Sequence, residues 1–170
     1  IYNNKTYTWL ETYIRCKRLA SALVMRGLEP GDTVGFVALN TPELYEAHFG
    51  VPMAGLILNA MNYRLDPKTL AFIIDHSETK LLVADLEFLP VVEKAVGLSH
   101  ASPEIIVIED IEAGFENTSK YEHYEELLST GDPDYYEFMI QDEWETISIN
   151  YTSGTTGNPK GVAYHYRGAY

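Results

Sequence analysis

The feature that most constrains the fold is an alternation of short, unbroken apolar runs with segments of helical periodicity. Val34-Gly35-Phe36-Val37-Ala38-Leu39, Leu56-Ile57-Leu58, Leu81-Leu82-Val83-Ala84 and Ile105 to Ile108 show no polar alternation. Runs of that kind predict strands covered on both faces, as in buried parallel sheets. Helix patterns separate them, so the chain predicts an α/β fold with a mostly parallel sheet and flanking helices.

The helix boundaries carry local signals. Thr8-Trp9-Leu10-Glu11 has the form of a capping box, and Trp9, Tyr13, Cys16, Ala20 and Leu23 follow at steps of three or four. This helix is expected to end near Gly27, before the turn Pro30-Gly31-Asp32. A second helix is predicted from Thr41-Pro42 to Ala54, with an apolar stripe of Leu44, Tyr45, His48, Phe49 and Met53 and a break at Pro52. His48 on that stripe predicts a packed histidine rather than a catalytic one. Further helices are expected over Pro67–His76, Leu86–Val96 and Tyr121–Leu128, a last strand over Thr146–Tyr151, and a closing helix over Val162–Tyr170.

Composition narrows the function. The chain has 170 residues, enough for one domain with a real core, and a formal net charge of −13. Such a balance repels phosphate backbones and anionic membranes, which excludes nucleic-acid binding through a broad basic face. Fourteen acids and one base, Lys120, lie between Glu104 and Glu145, and the remainder is neutral overall. That window predicts a solvated outer segment, with a docking surface for a basic partner as the alternative. Cys16 is the only cysteine, which excludes a disulfide framework and a thiolate metal cluster and predicts a reduced, cytoplasmic protein. No apolar run approaches the roughly 18 residues of a membrane span. The chain opens at Ile1 rather than Met and stops at Tyr170 inside a predicted helix, which predicts a fragment.

The chemistry is concentrated in Tyr151-Thr152-Ser153-Gly154-Thr155-Thr156-Gly157-Asn158-Pro159-Lys160-Gly161, directly after a predicted strand. Its glycines allow tight turns that aim backbone N–H groups at one centre, its hydroxyls can donate, and Lys160 is its only cation. These are groups that a polyphosphate needs, although Thr152 and Ser153 equally suit turn hydroxyls. Pro159 and Gly161 stand where a Walker A loop requires Gly and Ser or Thr, so a P-loop kinase or GTPase is excluded. No G-x-S-x-G surrounds Ser153 and no G-x-G-x-x-G occurs, which removes a hydrolase elbow and a dinucleotide fold.

The same string resembles, almost letter for letter, the signature loop of the adenylate-forming superfamily, the AMP-binding enzymes that include acyl-CoA synthetases, 4-coumarate-CoA ligases, luciferases and nonribosomal adenylation domains. Thr6-Tyr7-Thr8, Leu28-Glu29-Pro30-Gly31-Asp32, Leu39-Asn40-Thr41-Pro42-Glu43 and Asn62 to Pro67 look like its N-terminal landmarks in order. Val51-Pro52-Met53-Ala54-Gly55 and the ending Tyr164 to Tyr170 look most like the branch of medium-chain fatty acyl-CoA and methylmercaptopropionate-CoA ligases. Relatives usually carry His where this chain has Tyr166, so His165 stands alone.

The resemblance implies that residues 1–170 are a partial N-terminal domain, ending just after the phosphate-binding loop. It implies ATP-dependent activation of a carboxylic acid, expected to be fatty, as acyl-AMP, then transfer to coenzyme A, with Mg²⁺ required and the 170 residues inactive alone. Phosphate contact is implied for Thr152, Ser153, Gly154, Thr155, Thr156, Gly157 and Lys160, the last with a catalytic role, and no metal ligand is implied. Adenine, ribose and metal motifs belong to sequence beyond Tyr170. Two alternatives stay open: a non-catalytic nucleotide-binding or interaction fragment, and an adenylation domain with another thiol acceptor.

Overall fold

The computed structural model describes residues 2, 5–109, 114, 120–136, 140–152 and 157–169. Its strands are β1 (Thr33–Val37), β2 (Ile57–Ala60), β3 (Thr79–Asp85), β4 (Glu104–Ile108), β5 (Glu122–His123), β6 (Thr146–Thr152) and β7 (Lys160–His165). They form one sheet in the order β5-β4-β3-β1-β2-β6-β7. Every neighbouring pair is parallel except β6 with β7. The helices are α1 (Trp9–Met25), α2 (Pro42–Met53), α3 (Pro67–His76), α4 (Leu89–Leu98), α5 (Tyr124–Thr130) and α6 (Tyr166–Ala169), with a 3₁₀ turn at Leu86–Phe88.

The order explains the layers. The chain steps from β1 one way to β2, then crosses back over β1 to β3 and on to β4. Crossovers in parallel sheets are right-handed, so reversing the direction of travel moves the connecting helix to the other face. One core accordingly joins α1, α2 and α5 to Val34, Phe36, Leu58, Leu81, Val83 and Ile106. The other joins α3 and α4 to Val37, Leu82, Ala84, Ile105 and Val107. Alternate residues of β1, β3 and β4 serve opposite cores, which is why their central runs are apolar.

The boundaries with local signals appear as expected. Thr8 and Glu11 form a reciprocal capping box on α1, and Gly27 follows its end at a φ of 83°. Asp66 caps α3, with Pro67 in its first turn. Four expectations are corrected. The segment expected to be helical from Tyr121 begins instead with β5, which pairs with β4. The closing helix is instead β7 followed by the short α6, because Lys160 to His165 find a complete antiparallel partner in β6. Pro52 does not break α2 internally, since the helix ends one residue later.

The fourth correction concerns which face of α2 is buried. Tyr45, His48 and Phe49 are exposed, so His48 is not a core histidine, while Glu43, Glu46, Ala47, Gly50 and Val51 are buried. Small Ala47 and Gly50 let α2 approach α1 closely. A Cβ on Gly50 would meet the Cys16 carbonyl oxygen at 2.9 Å. Glu46 then accepts a hydrogen bond from Arg15 Nε at 2.5 Å and from the Tyr124 hydroxyl at 3.1 Å. Burial pushes its carboxyl above the ordinary range, against the pull of Arg15. Burial also pushes the Cys16 thiol up to about 12, which leaves it protonated and unreactive at neutral pH.

The acidic window lies at the surface as expected, with no acid buried among its described residues, and some of its carboxylates also hold partners near α1. Arg15 binds both carboxylate oxygens of Glu125, and Arg26 bridges Glu104 and Glu122. Arg18 donates to the Gly131 carbonyl at 3.0 Å, and Ser21 Oγ accepts from Asp132 N at 3.0 Å. One side of α1 thus clasps α5 and the turn after it. Gly131 is the tightest point, because a Cβ there would lie 2.0 Å from the Arg18 carbonyl oxygen. Gly131→Ala is expected to cost about 2–3 kcal/mol, since neither backbone can yield without disturbing the clasp. Urea denaturation of the full-length protein tests this, and an unchanged midpoint would show that the turn moves freely.

Candidate functional site

The site is built at one end of the sheet. Strand β6 runs parallel beside β2, with Ser148 opposite Leu58, so its end lies at the same carboxyl edge as the ends of β1 to β4. In open α/β sheets, ligands bind outside the carboxyl ends of the strands. From that edge the chain leaves β6 at Thr152 and returns as β7 at Lys160. The two ends meet as the last pair of the ladder, where the Thr152 hydroxyl donates to the Lys160 carbonyl at 3.5 Å. The Lys160 side chain is exposed, and among the described residues no carboxylate forms an ion pair with it. A cation left unneutralised at that edge is free to meet an anion.

The base of this hairpin is tied to the sheet's second layer. The Tyr151 hydroxyl and His76 Nδ1 share a hydrogen bond of 2.7 Å, with the two rings edge to face at 5.7 Å. His76 ends α3 and stacks on Phe72. Tyr151 packs partly into the core between α3, α4 and the sheet, and burial pushes its phenol above the ordinary range. Across the ladder, Tyr151 pairs with Gly161. A Cβ on Gly161 would lie 3.2 Å from Tyr151 Cζ and 3.0 Å from Ile149 Cγ2. Glycine at 161 therefore leaves room for the Tyr151 ring to lie across the returning strand. His76 was not identified from sequence, and nothing local to it points toward residue 151.

Of the expected site residues, Thr152, Gly157 and Lys160 lie in the described part of the hairpin, while Ser153, Gly154, Thr155 and Thr156 fall outside the described residues. The hydroxyl of Thr152 is engaged by the hairpin itself, which suits a turn role, although 3.5 Å is a long hydrogen bond. Among the described residues no group of three His, Cys, Asp or Glu side chains could hold a metal ion, so the Mg²⁺ implied by the resemblance gains no ligand set here. His165 pairs with Thr146 at the far end of the ladder, about 20 Å along the strand from Thr152. The Tyr166 hydroxyl donates to the Pro52 carbonyl at 2.9 Å, fastening α6 to the end of α2. Tyr166 thus does structural work, away from the loop.

Comparison with known proteins agrees with the architecture. The family model described as AMP-binding enzyme matches residues 1–170. A peroxisomal acetate/butyrate–CoA ligase of Arabidopsis thaliana is 45% identical over all of this chain and 32% of its own length. A peroxisomal trans-cinnamate:CoA ligase of Petunia hybrida is 42% identical over all of this chain and 32% of its own. The chain thus spans about a third of the length of these relatives. Among solved structures, an anthranilate CoA ligase in complex with anthranoyl-AMP superposes with a TM-score of 0.87 at 24% identity, covering 96% of this chain and 30% of that one. A red-emitting luciferase from Phrixothrix hirtus gives 0.85 at 20% identity, covering 98% and 32%. At those identities the two structures speak for the fold.

Proposed function

Because the chain belongs to the AMP-binding enzyme family, we propose that residues 1–170 are the N-terminal part of the large domain of an ATP-dependent acyl-CoA synthetase. The observation that supports this reading is a hairpin whose described ends, Thr152 and Lys160, stand at the carboxyl edge of a parallel sheet, in a chain matched by the family model from end to end.

In the proposed reaction a carboxylate oxygen attacks the α-phosphorus of ATP and pyrophosphate leaves with its bonding electrons. The thiol sulfur of coenzyme A then attacks the acyl carbonyl carbon, its proton passes to solvent, and the acyl C–O bond breaks as AMP departs with the bonding electrons. Negative charge grows on the leaving pyrophosphate, so a preorganised cation and N–H and O–H donors aimed there lower the barrier. Thr152, Ser153, Gly154, Thr155, Thr156 and Gly157 are assigned as donors to the phosphates, and Lys160 as the fixed charge. Mg²⁺ supplies phosphate neutralisation when bound, and its ligands are assigned to the rest of the parent protein.

Relatives named for acetate, butyrate and trans-cinnamate support an acid and coenzyme A as substrates. An aliphatic acid is the preferred assignment, with an aryl acid as the competing outcome. No helix of the described residues is long and apolar enough to cross a membrane. A reducing compartment suits the single buried Cys16, and the cytoplasm is assigned on that ground. The peroxisomal relatives favour the peroxisome as the second assignment.

The test is ATP–pyrophosphate exchange by the full-length protein over short-, medium- and long-chain acids and cinnamate, followed by thioester formation with coenzyme A. Acid-dependent exchange is expected from the full-length protein and none from residues 1–170 alone. Absence of exchange with every acid would overturn the assignment, and exchange by the 170 residues would overturn the division of the site.

A further inference from the structure

We infer that His76 and Tyr151 form a positioning pair that sets the base of the proposed phosphate-binding segment. This rests on the function proposed above and adds two residues to that site. Tyr151 stands immediately before the segment and Gly161 immediately after it, and both belong to one rung of the β6–β7 ladder. The Tyr151 ring crosses that rung, close enough that a Cβ on Gly161 would crowd it at 3.2 Å, so one aromatic side chain spans both ends of the segment. Its hydroxyl is then held by His76 Nδ1 at 2.7 Å.

His76 is itself held. It sits in the last turn of α3, its ring stacked on Phe72 at 5.4 Å, and Ser77 beside it bonds the Ile73 carbonyl, Thr79 and Asn59 of β2. The path from the sheet through α3 to the hairpin is therefore continuous: Asn59, Ser77, His76, Tyr151, Gly161. An isolated hairpin at a sheet edge is a soft element, because β7 has one strand neighbour and is exposed along most of its length. Catalytic donors must be placed to within a fraction of an ångström, and support from a rigid element supplies that precision. The His76–Tyr151 bond ties the end of α3 to this hairpin's base, with the Ser77 hydroxyl also near the Tyr151 phenol. Neither side chain is assigned contact with substrate, so both are positioning residues.

The experiment uses the full-length protein with Tyr151→Phe, His76→Ala, His76→Asn, His76→Gln and the double variant Tyr151→Phe/His76→Ala. Phenylalanine keeps the ring over Gly161 and removes only the hydroxyl. Asparagine presents an amide near the place of Nδ1, whereas glutamine presents it near Nε2. Tyr151→Phe and His76→Ala are each expected to raise KM for ATP about three- to tenfold, the gain of one hydrogen bond. KM for the acid should stay within twofold, and coenzyme A acylation from supplied acyl-adenylate should not change. The double variant should be no worse than either single one, and His76→Asn should recover most of the loss while His76→Gln does not. Binding of ATP alone, followed by calorimetry, should weaken in parallel.

Unchanged ATP parameters in both single variants would overturn the inference. So would equal losses in both half-reactions with a lowered thermal midpoint, since that pattern marks a general disturbance of the fold. A wild-type protein without acid-dependent exchange would instead refute the proposed function, and the calorimetric arm then decides whether the pair still governs nucleotide affinity.

Discussion

Lys160→Ala in the full-length protein is expected to slow acyl-adenylate formation by about tenfold to several hundredfold, the usual cost of removing one preorganised charge-stabilising donor. Lys160 begins β7 at the carboxyl edge, exposed and without an ion-pair partner among the described residues. In the proposed role such an ammonium would meet the β- and γ-phosphates with little desolvation beforehand, and its attraction would grow as charge passes to departing pyrophosphate. The loss should therefore fall mainly on kcat of the adenylation half-reaction. Thioester formation from supplied acyl-adenylate involves no triphosphate and should hold within twofold. Measuring the two half-reactions separately is decisive: an unchanged first step, or equal losses in both, would mean that Lys160 is only a solvated charge. Lys160→Arg should recover part of the rate, because charge is retained while the ammonium's compact geometry is not.

Glu46→Ala is expected to destabilise the domain by about 3 kcal/mol, near the lower end for breaking a buried ion pair. Glu46 is 1% exposed and Tyr124 2% exposed, and the substitution removes the carboxylate that accepts from the Tyr124 hydroxyl and from Arg15. Arg15 keeps Glu125, whose side chain is 59% exposed, and that residual pairing holds the cost below the upper end. Glu46→Gln preserves shape and an acceptor, so its midpoint in urea should lie between those of wild type and Glu46→Ala. Equal midpoints for all three proteins would show that the pair adds nothing to stability.

The clasp around Glu46 also shows where sequence reasoning stopped. On α2 the residues Leu44, Tyr45, His48, Phe49 and Met53 make the more apolar stripe, yet the helix buries Glu43 and Glu46 and exposes Tyr45, His48 and Phe49. Hydrophobic periodicity assumes that the apolar face meets the core. Here close approach to α1 selects the face carrying Ala47 and Gly50, and the acids it brings inward find Arg15, Tyr124 and, for Glu43, Lys5. None of these partners is a neighbour in sequence. The acidic window lies on the surface as its composition predicts, but its partners are hidden from the sequence for the same reason, since Arg15 and Arg26 lie about a hundred residues before the carboxylates of Glu125 and Glu122 that they bind.

What the amino-acid sequence determined by itself is the set of properties that depend on adjacent residues. The Thr8–Glu11 box, the Asp66-Pro67 cap and the uninterrupted apolar runs settle where α1 and α3 begin and that the strands are buried on both faces. The donors and the lysine between Thr152 and Lys160 are equally plain, because they are a matter of composition along one short string. The tertiary structure alone decided that residues 160–165 extend rather than coil, which face of α2 turns inward, and that His76 reaches Tyr151. Helix and strand preferences differ by less than about 1 kcal/mol per residue, whereas a full ladder with β6 or a shared core contributes several such increments together. Where a segment's partner lies far along the chain, that larger sum overrides the local preference, and only the assembled sheet reveals which partner it is.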